Sequence, residues 1–84
     1  MAAKELPREL PRELDVRGLS CPLPILRTRA LLDTMAEGDD LVVYVTDPAS
    51  VIDFRHFCNI TANELVSHEK REDEVFVYRI RRHV

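Results

Sequence analysis

The chain has 84 residues, enough for one small domain whose core must be tightly packed. Hydrophobic residues make up 45% of it, which excludes a disordered chain. The net charge of −3 argues against a direct nucleic-acid partner, because nucleic-acid binders need a basic face to neutralise phosphates. The sequence has no run of about 18 apolar residues, so we expect no membrane span.

The two cysteines indicate the cellular compartment in which the protein is expected to occur. The N-terminus lacks the uninterrupted apolar region of a signal peptide. Cysteines in a chain without such a signal usually remain reduced in the cytosol and do not form a disulfide scaffold. We therefore predict a cytoplasmic protein with free thiols.

A four-residue repeat, Glu-Leu-Pro-Arg, opens the chain over residues 5–14. Prolines at that spacing exclude a regular helix and bias their neighbours toward extended conformations. We predict a flexible N-terminal arm over residues 1–12 and a single domain over residues 13–84. The alternative is an arm that docks a partner through Leu6 and Leu10.

Hydrophobic periodicity predicts the helices and strands that follow. Apolar residues recur at about 100° per residue in each predicted helix, whereas the last predicted strand alternates apolar and polar residues. Gly38 is placed to end the first helix. Asp47-Pro48 is placed to begin the second helix, as N-cap and first helical residue. The predicted elements are strands over 14–17, 41–46, 65–69 and 75–81, and helices over 22–36 and 48–58.

The order β-α-β-α-β-β predicts an α/β (α+β) two-layer sandwich. Each β-α-β step is expected to join parallel strands by a right-handed crossover, and the last two strands to form an antiparallel hairpin. The result is a four-stranded mixed sheet with both helices packed on one face. The predicted core residues are Pro24, Ile25, Thr28, Leu31, Leu32 and Met35 in the first helix, Val51, Phe54, Phe57 and Cys58 in the second, and Phe76, Tyr78 and Ile80 in the last strand.

Cys21-Pro22-Leu23-Pro24 places a thiol at the start of the first helix, after a turn that contains Gly18. Prolines are tolerated in a first helical turn, where the N–H groups have no intrahelical partner. This predicts Pro22 at the first helical position and Cys21 at the cap. A sulfur there lies near free N–H groups and the positive end of the helix dipole, which lower a thiol pKa. An inert cysteine cap is the alternative, although Ser, Thr, Asp and Asn are the preferred caps.

Other segments accompany this motif: Leu14-Asp15 and Gly18-Leu19 before it, and Asp47-Pro48-Ala49-Ser50, Asp53 and Phe57-Cys58 after it. Together they resemble the TusA/SirA-like (YeeD-type) family of small sulfur-carrier proteins, from about residue 13 to residue 82. The resemblance implies the same two-layer sandwich. Members that act in tRNA thiolation resemble Cys-Pro-Glu-Pro, and Leu23 here replaces the acidic residue.

The resemblance implies that Cys21 accepts sulfane sulfur as a persulfide and relays it to an acceptor protein. Such relays serve tRNA thiolation, sulfur oxidation or cofactor maturation. The implied donor is a cysteine desulfurase or a rhodanese-like protein, and the implied acceptor is a DsrE-like or other protein. No cofactor is needed, and the chain is a cosubstrate of sulfurtransferases more than a stand-alone enzyme. The alternative is a regulatory or interaction module in which Cys21 is a redox sensor or a structural cap.

Several residues around the cysteine have predicted supporting roles. Pro22, Pro24 and Gly18 shape the motif, and Arg29 is expected either to present positive charge beside the thiol or to be a solvated helix residue. Leu23, Leu26 and Ala30 lie on the helix side opposite the core, where they form either a partner-docking surface or ordinary exposed apolar positions. The three histidines occur singly, without the spacing of metal ligands, so no metal site is predicted.

Overall fold

Residues 11–83 are described by a computed structural model, in which four strands and two helices follow the predicted order β-α-β-α-β-β. The predicted flexible arm falls mainly on residues 1–10, outside the described residues. Arg12, which the sequence assigned to the arm, begins the first strand. The elements are β1 (Arg12–Asp15), α1 (Leu23–Leu32), β2 (Asp40–Val45), α2 (Ser50–Thr61), β3 (Glu64–Lys70) and β4 (Phe76–Arg81).

The sheet has the strand order β1-β2-β4-β3. β1 pairs with β2 in parallel, while β4 pairs antiparallel with both β2 and β3. β2 is thus an inner strand, as predicted from its β-branched run. Its side chains alternate between fully buried and half-buried, because the helices cover one face of the sheet.

The core lies between that face and the two helices. The predicted core side of α1 is confirmed, with Pro24, Thr28 and Leu32 buried. The core side of α2 is confirmed for Phe54, Phe57 and Cys58, whereas Val51, also predicted as core, is only half-buried. Phe54 stacks on Tyr78 of β4 with ring centroids 4.4 Å apart. One cluster of buried residues joins both helices to the sheet: Val16, Leu32, Met35, Leu41, Val43, Val45, Phe54, Phe57, Cys58, Tyr78 and Ile80.

The first helix is shorter than the predicted 22–36. It ends at Leu32, because the N–H groups of Thr34 and Met35 donate to carbonyls three residues earlier and tighten the chain into turns. Gly38 therefore does not cap this helix. It has φ +92° in the following turn and donates its N–H to the carbonyl of Arg82 at 2.6 Å.

The other boundaries differ from prediction by one to three residues. The first strand, predicted over 14–17, ends at Asp15 because its carboxylate accepts the backbone N–H of Arg17 and turns the chain. The second helix, predicted over 48–58, runs from Ser50 to Thr61 and ends where Ala62 takes φ +64°. The last two strands lie within one residue of the predicted ranges.

Asp40, at the start of β2, joins β2 to β4. Its carboxylate accepts hydrogen bonds from Arg79 Nε at 2.6 Å and from Arg81 Nε at 2.8 Å. The side chain of Asp40 is only 8% exposed. Hydrogen bonding to Arg81, and then to Arg79, holds the pKa of this carboxyl below its ordinary value of 3.8.

Asp40→Asn should lower the free energy of unfolding by about 1–3 kcal/mol near neutral pH, because it leaves two partly buried guanidinium groups without their carboxylate. A carboxyl whose pKa is lowered in the folded state stabilises the protein above its ordinary pKa, and this contribution is lost as the pH falls through the folded value. The difference between wild type and variant should therefore shrink below a pH of 3.8. Urea unfolding at neutral and acidic pH measures it.

Asp73→Asn is the matched control, since Asp73 pairs with Arg71 in an exposed turn. Exposed pairs contribute about 0–1 kcal/mol, so this variant should change stability little. A loss for Asp40→Asn that is the same at neutral and at acidic pH would contradict the role given to the Asp40 carboxylate.

Candidate functional site

Cys21 is an exposed, free cysteine in the turn directly before α1. The prediction that it occupies the cap is wrong by one residue, because Pro22 is the N-cap and Leu23 is the first helical residue. The Pro22 carbonyl accepts the first helical hydrogen bond, from Leu26 at 3.1 Å. Pro24 still lies in the first turn, as predicted, and is buried. The Cys21–Pro22 peptide bond is cis.

Two long-range hydrogen bonds hold the cysteine loop against the segment after β2. The N–H of Gly18 donates to Thr46 Oγ1 at 2.9 Å, and the N–H of Cys21 donates to Asp47 Oδ2 at 2.8 Å. Gly18 has φ +85°, a conformation that favours glycine because it has no Cβ. The loop that carries the thiol is therefore fixed at both ends by residues that follow the neighbouring strand.

Asp47 does not cap α2 in the predicted way, since Ala49 is the N-cap. Its Oδ1 accepts the N–H of Ala49 at 3.1 Å, and its carbonyl accepts the N–H of Ser50 at 3.0 Å. Residues 48 and 49 thus form a turn, and the helix begins after it. The second carboxylate oxygen is then available to Cys21.

Asp53 brings a second carboxylate to the thiol. The pKa of Cys21 is raised above its ordinary value of 9.0, first by hydrogen bonding to Asp53, then by desolvation and by the negative charges of Asp53 and Asp47. The sequence-based expectation of a lowered pKa is therefore wrong. It considered the start of α1 alone and omitted the carboxylates that α2 and its preceding turn place beside the sulfur.

Neither aspartate was predicted to belong to the site. Local patterns explained Asp47 as a helix cap and left Asp53 outside the predicted core of α2. Both belong to the segments that carry the family resemblance, and their occurrence together with the Cys21 motif is the one sequence signal that links them to the thiol.

Cys21 lies at one end of a groove between the two helices. Arg29 lines this groove, two turns along α1 from the cysteine, so the structure brings it toward the site. It is not among the groups named as acting on the pKa of Cys21, and its supporting role beside the thiol stays a prediction. The groove is lined by Cys21, Pro22, Ile25, Arg29, Asp53, His56, Phe57 and Ile60.

Several apolar side chains of the two helices are exposed. Leu23 and Leu26 are 42% and 54% exposed, and Ala30 is exposed on the same side of α1. The predicted exposure of these three residues is confirmed, while their docking role stays a prediction. Ile52 and Ile60 of α2 are even more exposed, at 74% and 64%. They were not predicted, although both fall among polar residues on the helical wheel.

Cys58 is buried in α2, as predicted for a core residue. Burial raises the pKa of its thiol to about 11. Among residues 11–83, no group of three or more His, Cys, Asp or Glu side chains is arranged to hold a metal ion. Within the same residues, neither helix has the length and apolar character needed to cross a membrane.

Comparison with known proteins finds a matching family. The family model described as "Sulfurtransferase TusA" matches residues 12–82. The chain is 46% identical over 71 residues to the sulfur carrier protein TusA of Allochromatium vinosum, which covers 84% of this chain and 92% of that protein. It is 32% identical over 74 residues to a Halobacterium salinarum protein, covering 88% of this chain and 91% of that one.

A solved structure matches the fold. The SirA-like protein from Desulfitobacterium hafniense superposes with a TM-score of 0.76, covering 86% of this chain and 97% of that chain. The sequence identity is 19%, so this likeness supports the shared fold alone.

The two thiols should differ in reactivity. Iodoacetamide should label Cys21 in the native protein and leave Cys58 unlabelled until urea unfolds the chain. The Cys21 rate should rise with pH toward a midpoint above 9.0, because its environment disfavours the thiolate. Mass spectrometry of Cys58→Ser over a pH series measures this rate, with Cys21→Ser as the control. A midpoint below 9.0 would contradict the environment described for the thiol.

Proposed function

The chain belongs to the TusA sulfurtransferase family, and we propose that it is a sulfur carrier that accepts sulfane sulfur as a persulfide on Cys21 and passes it to an acceptor protein. The observation that supports this most directly is an exposed free thiol at the end of a groove between two helices. The similarity to a protein named as a sulfur carrier supports it independently.

The proposed transfer is an attack of thiolate sulfur on sulfane sulfur. The Cys21 thiolate forms a bond to the outer sulfur of the donor persulfide, and the donor S–S bond breaks. The donor cysteine leaves as a thiolate and takes up the proton that Cys21 has lost. Delivery repeats the step, with an acceptor thiolate attacking the outer sulfur of the Cys21 persulfide. No net oxidation occurs in either transfer.

Several residues of this chain support that chemistry. The exposed position of Cys21 ahead of α1 gives a partner access to the sulfur. The hydrogen bond from its N–H to Asp47 fixes the backbone at the reacting residue. Pro22 and Pro24 set the direction in which α1 leaves the loop, and Gly18 allows the turn that precedes it.

The proposed donor is a cysteine desulfurase or a rhodanese-like protein, and the proposed acceptor is a DsrE-like or other sulfur-accepting protein. Leu23, Leu26 and Ala30 form the proposed docking surface, because they place exposed apolar area next to the thiol. The proposed location of the chain is the cytoplasm, where cysteines such as Cys21 and Cys58 usually remain free thiols.

The regulatory alternative, in which Cys21 is a redox sensor, has less support. Sensor cysteines are exposed thiols of low pKa, since the thiolate is the form that oxidants attack. Cys21 is exposed, but its pKa is raised.

Incubation with a cysteine desulfurase and cysteine should add the mass of one sulfur to the chain, and a reductant should remove it. Cys21→Ser should abolish the gain while the fold persists. Cys58→Ser is the control and should keep the gain, although it should lose about 1–3 kcal/mol of stability if the new hydroxyl is buried without a partner. Intact-mass spectrometry measures both, and loss of the added sulfur in Cys58→Ser would contradict the assignment to Cys21.

Leu23→Glu should slow sulfur transfer from the cognate donor, because it places a charge in the proposed docking surface, and should raise the Cys21 pKa further by like-charge repulsion. Stability should change little, since an exposed first-turn carboxylate interacts with the helix dipole by only about 0.3–1 kcal/mol. Transfer kinetics and thiol alkylation measure the two effects.

Val66→Glu is the matched control for this experiment. Val66 is an exposed apolar residue of β3, an edge strand of the sheet, so the change adds the same charge away from the thiol. Transfer by this variant should equal that of wild type. Equal slowing by both variants would show that added charge, and not the position of Leu23, reduces transfer.

A further inference from the structure

We propose that Asp53 is the specificity-determining residue of the Cys21 site, and that it favours sulfur-exchanging partners which present a cationic group beside their reacting sulfur. The inference rests on the proposed carrier function and concerns the chemistry of the partner. Asp53 lines the same groove as Cys21, and hydrogen bonding to its carboxylate is the largest contribution to the raised pKa of the thiol.

The two residues are held in place independently of a partner. Asp53 lies in the first turn of α2, whose neighbours Ser50 and Phe54 are fully buried against the core. Cys21 is held from the other side by the hydrogen bond that its N–H donates to Asp47 Oδ2 at 2.8 Å. Cys21, in the turn before α1, and Asp53, in α2, therefore line the same groove.

Four charged or titratable side chains face this region from the elements that surround it. Asp47 comes from the segment after β2, Asp53 and His56 from α2, and Arg29 from α1. Among the described residues, the two aspartates are the charged groups that raise the pKa of the Cys21 thiol. Arg29 and His56 line the groove but are not named among those groups. The two carboxylates therefore make the electrostatic potential at the sulfur negative. One unit charge at about 4 Å in water changes an equilibrium or a rate by roughly fivefold.

A cationic group of the partner would offset the negative charge beside Cys21 during transfer. In the free protein, the Cys21 proton is retained by the hydrogen bond to Asp53. When a partner lysine or arginine approaches the carboxylates, the negative field is compensated and the proton is released. The Cys21 thiolate then attacks the outer sulfur of the donor, and the leaving donor thiolate takes up a proton. Leu23, Leu26 and Ile60 exclude water around the contact and strengthen the charge interaction.

The test uses two methanethiosulfonate reagents of similar size and opposite charge, a trimethylammonium-ethyl and a sulfonato-ethyl derivative. They are applied to the full chain carrying Cys58→Ser, and each rate is divided by the rate of the same reagent with free 2-mercaptoethanol. The protein should react faster with the cationic reagent on this scale. Asp53→Asn should slow the cationic reagent and speed the anionic one by roughly fivefold each, so the ratio of cationic to anionic rates should fall by roughly 25-fold. Asp53→Glu should retain the ratio.

Glu37→Gln is the control, because it removes one negative charge in the turn after α1, at the end of that helix remote from Cys21. Its ratio should equal that of wild type. The ratio separates charge selectivity from fold and from thiol pKa, since a change in pKa alters both rates equally. An unchanged ratio in folded Asp53→Asn would overturn the proposal.

A salt series on the wild-type site keeps the proposal testable if Asp53→Asn fails to fold. At about 1 M salt the screening length falls to about 3 Å, so the ratio should approach that of the free thiol. A ratio that does not respond to salt would overturn the proposal. Neither measurement uses a sulfur donor, so failure here is distinct from failure of Cys21 to gain sulfur, which the desulfurase experiment detects.

Discussion

The position of α2 depends on one buried phenol. Tyr78 of β4 is almost completely buried, which raises the pKa of its hydroxyl and requires a partner for it. Ser50, the first residue of α2, satisfies it at 2.7 Å, and Phe54 stacks on the same ring. Because these contacts fix the first turn of α2 on the sheet, they also fix Asp47 before it and Asp53 within it.

The candidate site is the place where two helix starts meet. β1 and β2 are parallel neighbours, so the loops that leave their carboxyl ends lie at the same edge of the sheet, a common location for functional sites in such folds. The first loop carries Cys21, and the second carries Thr46 and Asp47. Two hydrogen bonds join the loops, one to Thr46 and one to Asp47, and they fix the position of the short turn that carries the thiol.

Local patterns in the sequence predicted the elements, their order and the buried sides of both helices, because these depend on residues a few positions apart. Contacts of single side chains with distant residues were not predicted. Gly38 has the conformation expected of a helix cap but donates to Arg82 and serves another turn. The environment of Cys21 was predicted with the wrong sign, because the carboxylates that determine it lie 26 or more residues away in sequence.

A raised thiol pKa is compatible with carrying sulfur, although it differs from what a reactive cysteine usually shows. Thiolates of higher pKa are stronger nucleophiles once formed, and they are also poorer leaving groups. In the proposed transfer, the carboxylates beside Cys21 limit loading, because little thiolate is present, and they limit release, because Cys21 must leave as a thiolate when an acceptor attacks its persulfide. A single change at the site, the approach of positive charge to Asp53, would speed both steps. In the proposed relay, the same two carboxylates protect the free thiol from oxidation and keep the carried sulfur in place until a partner with the right charge is docked.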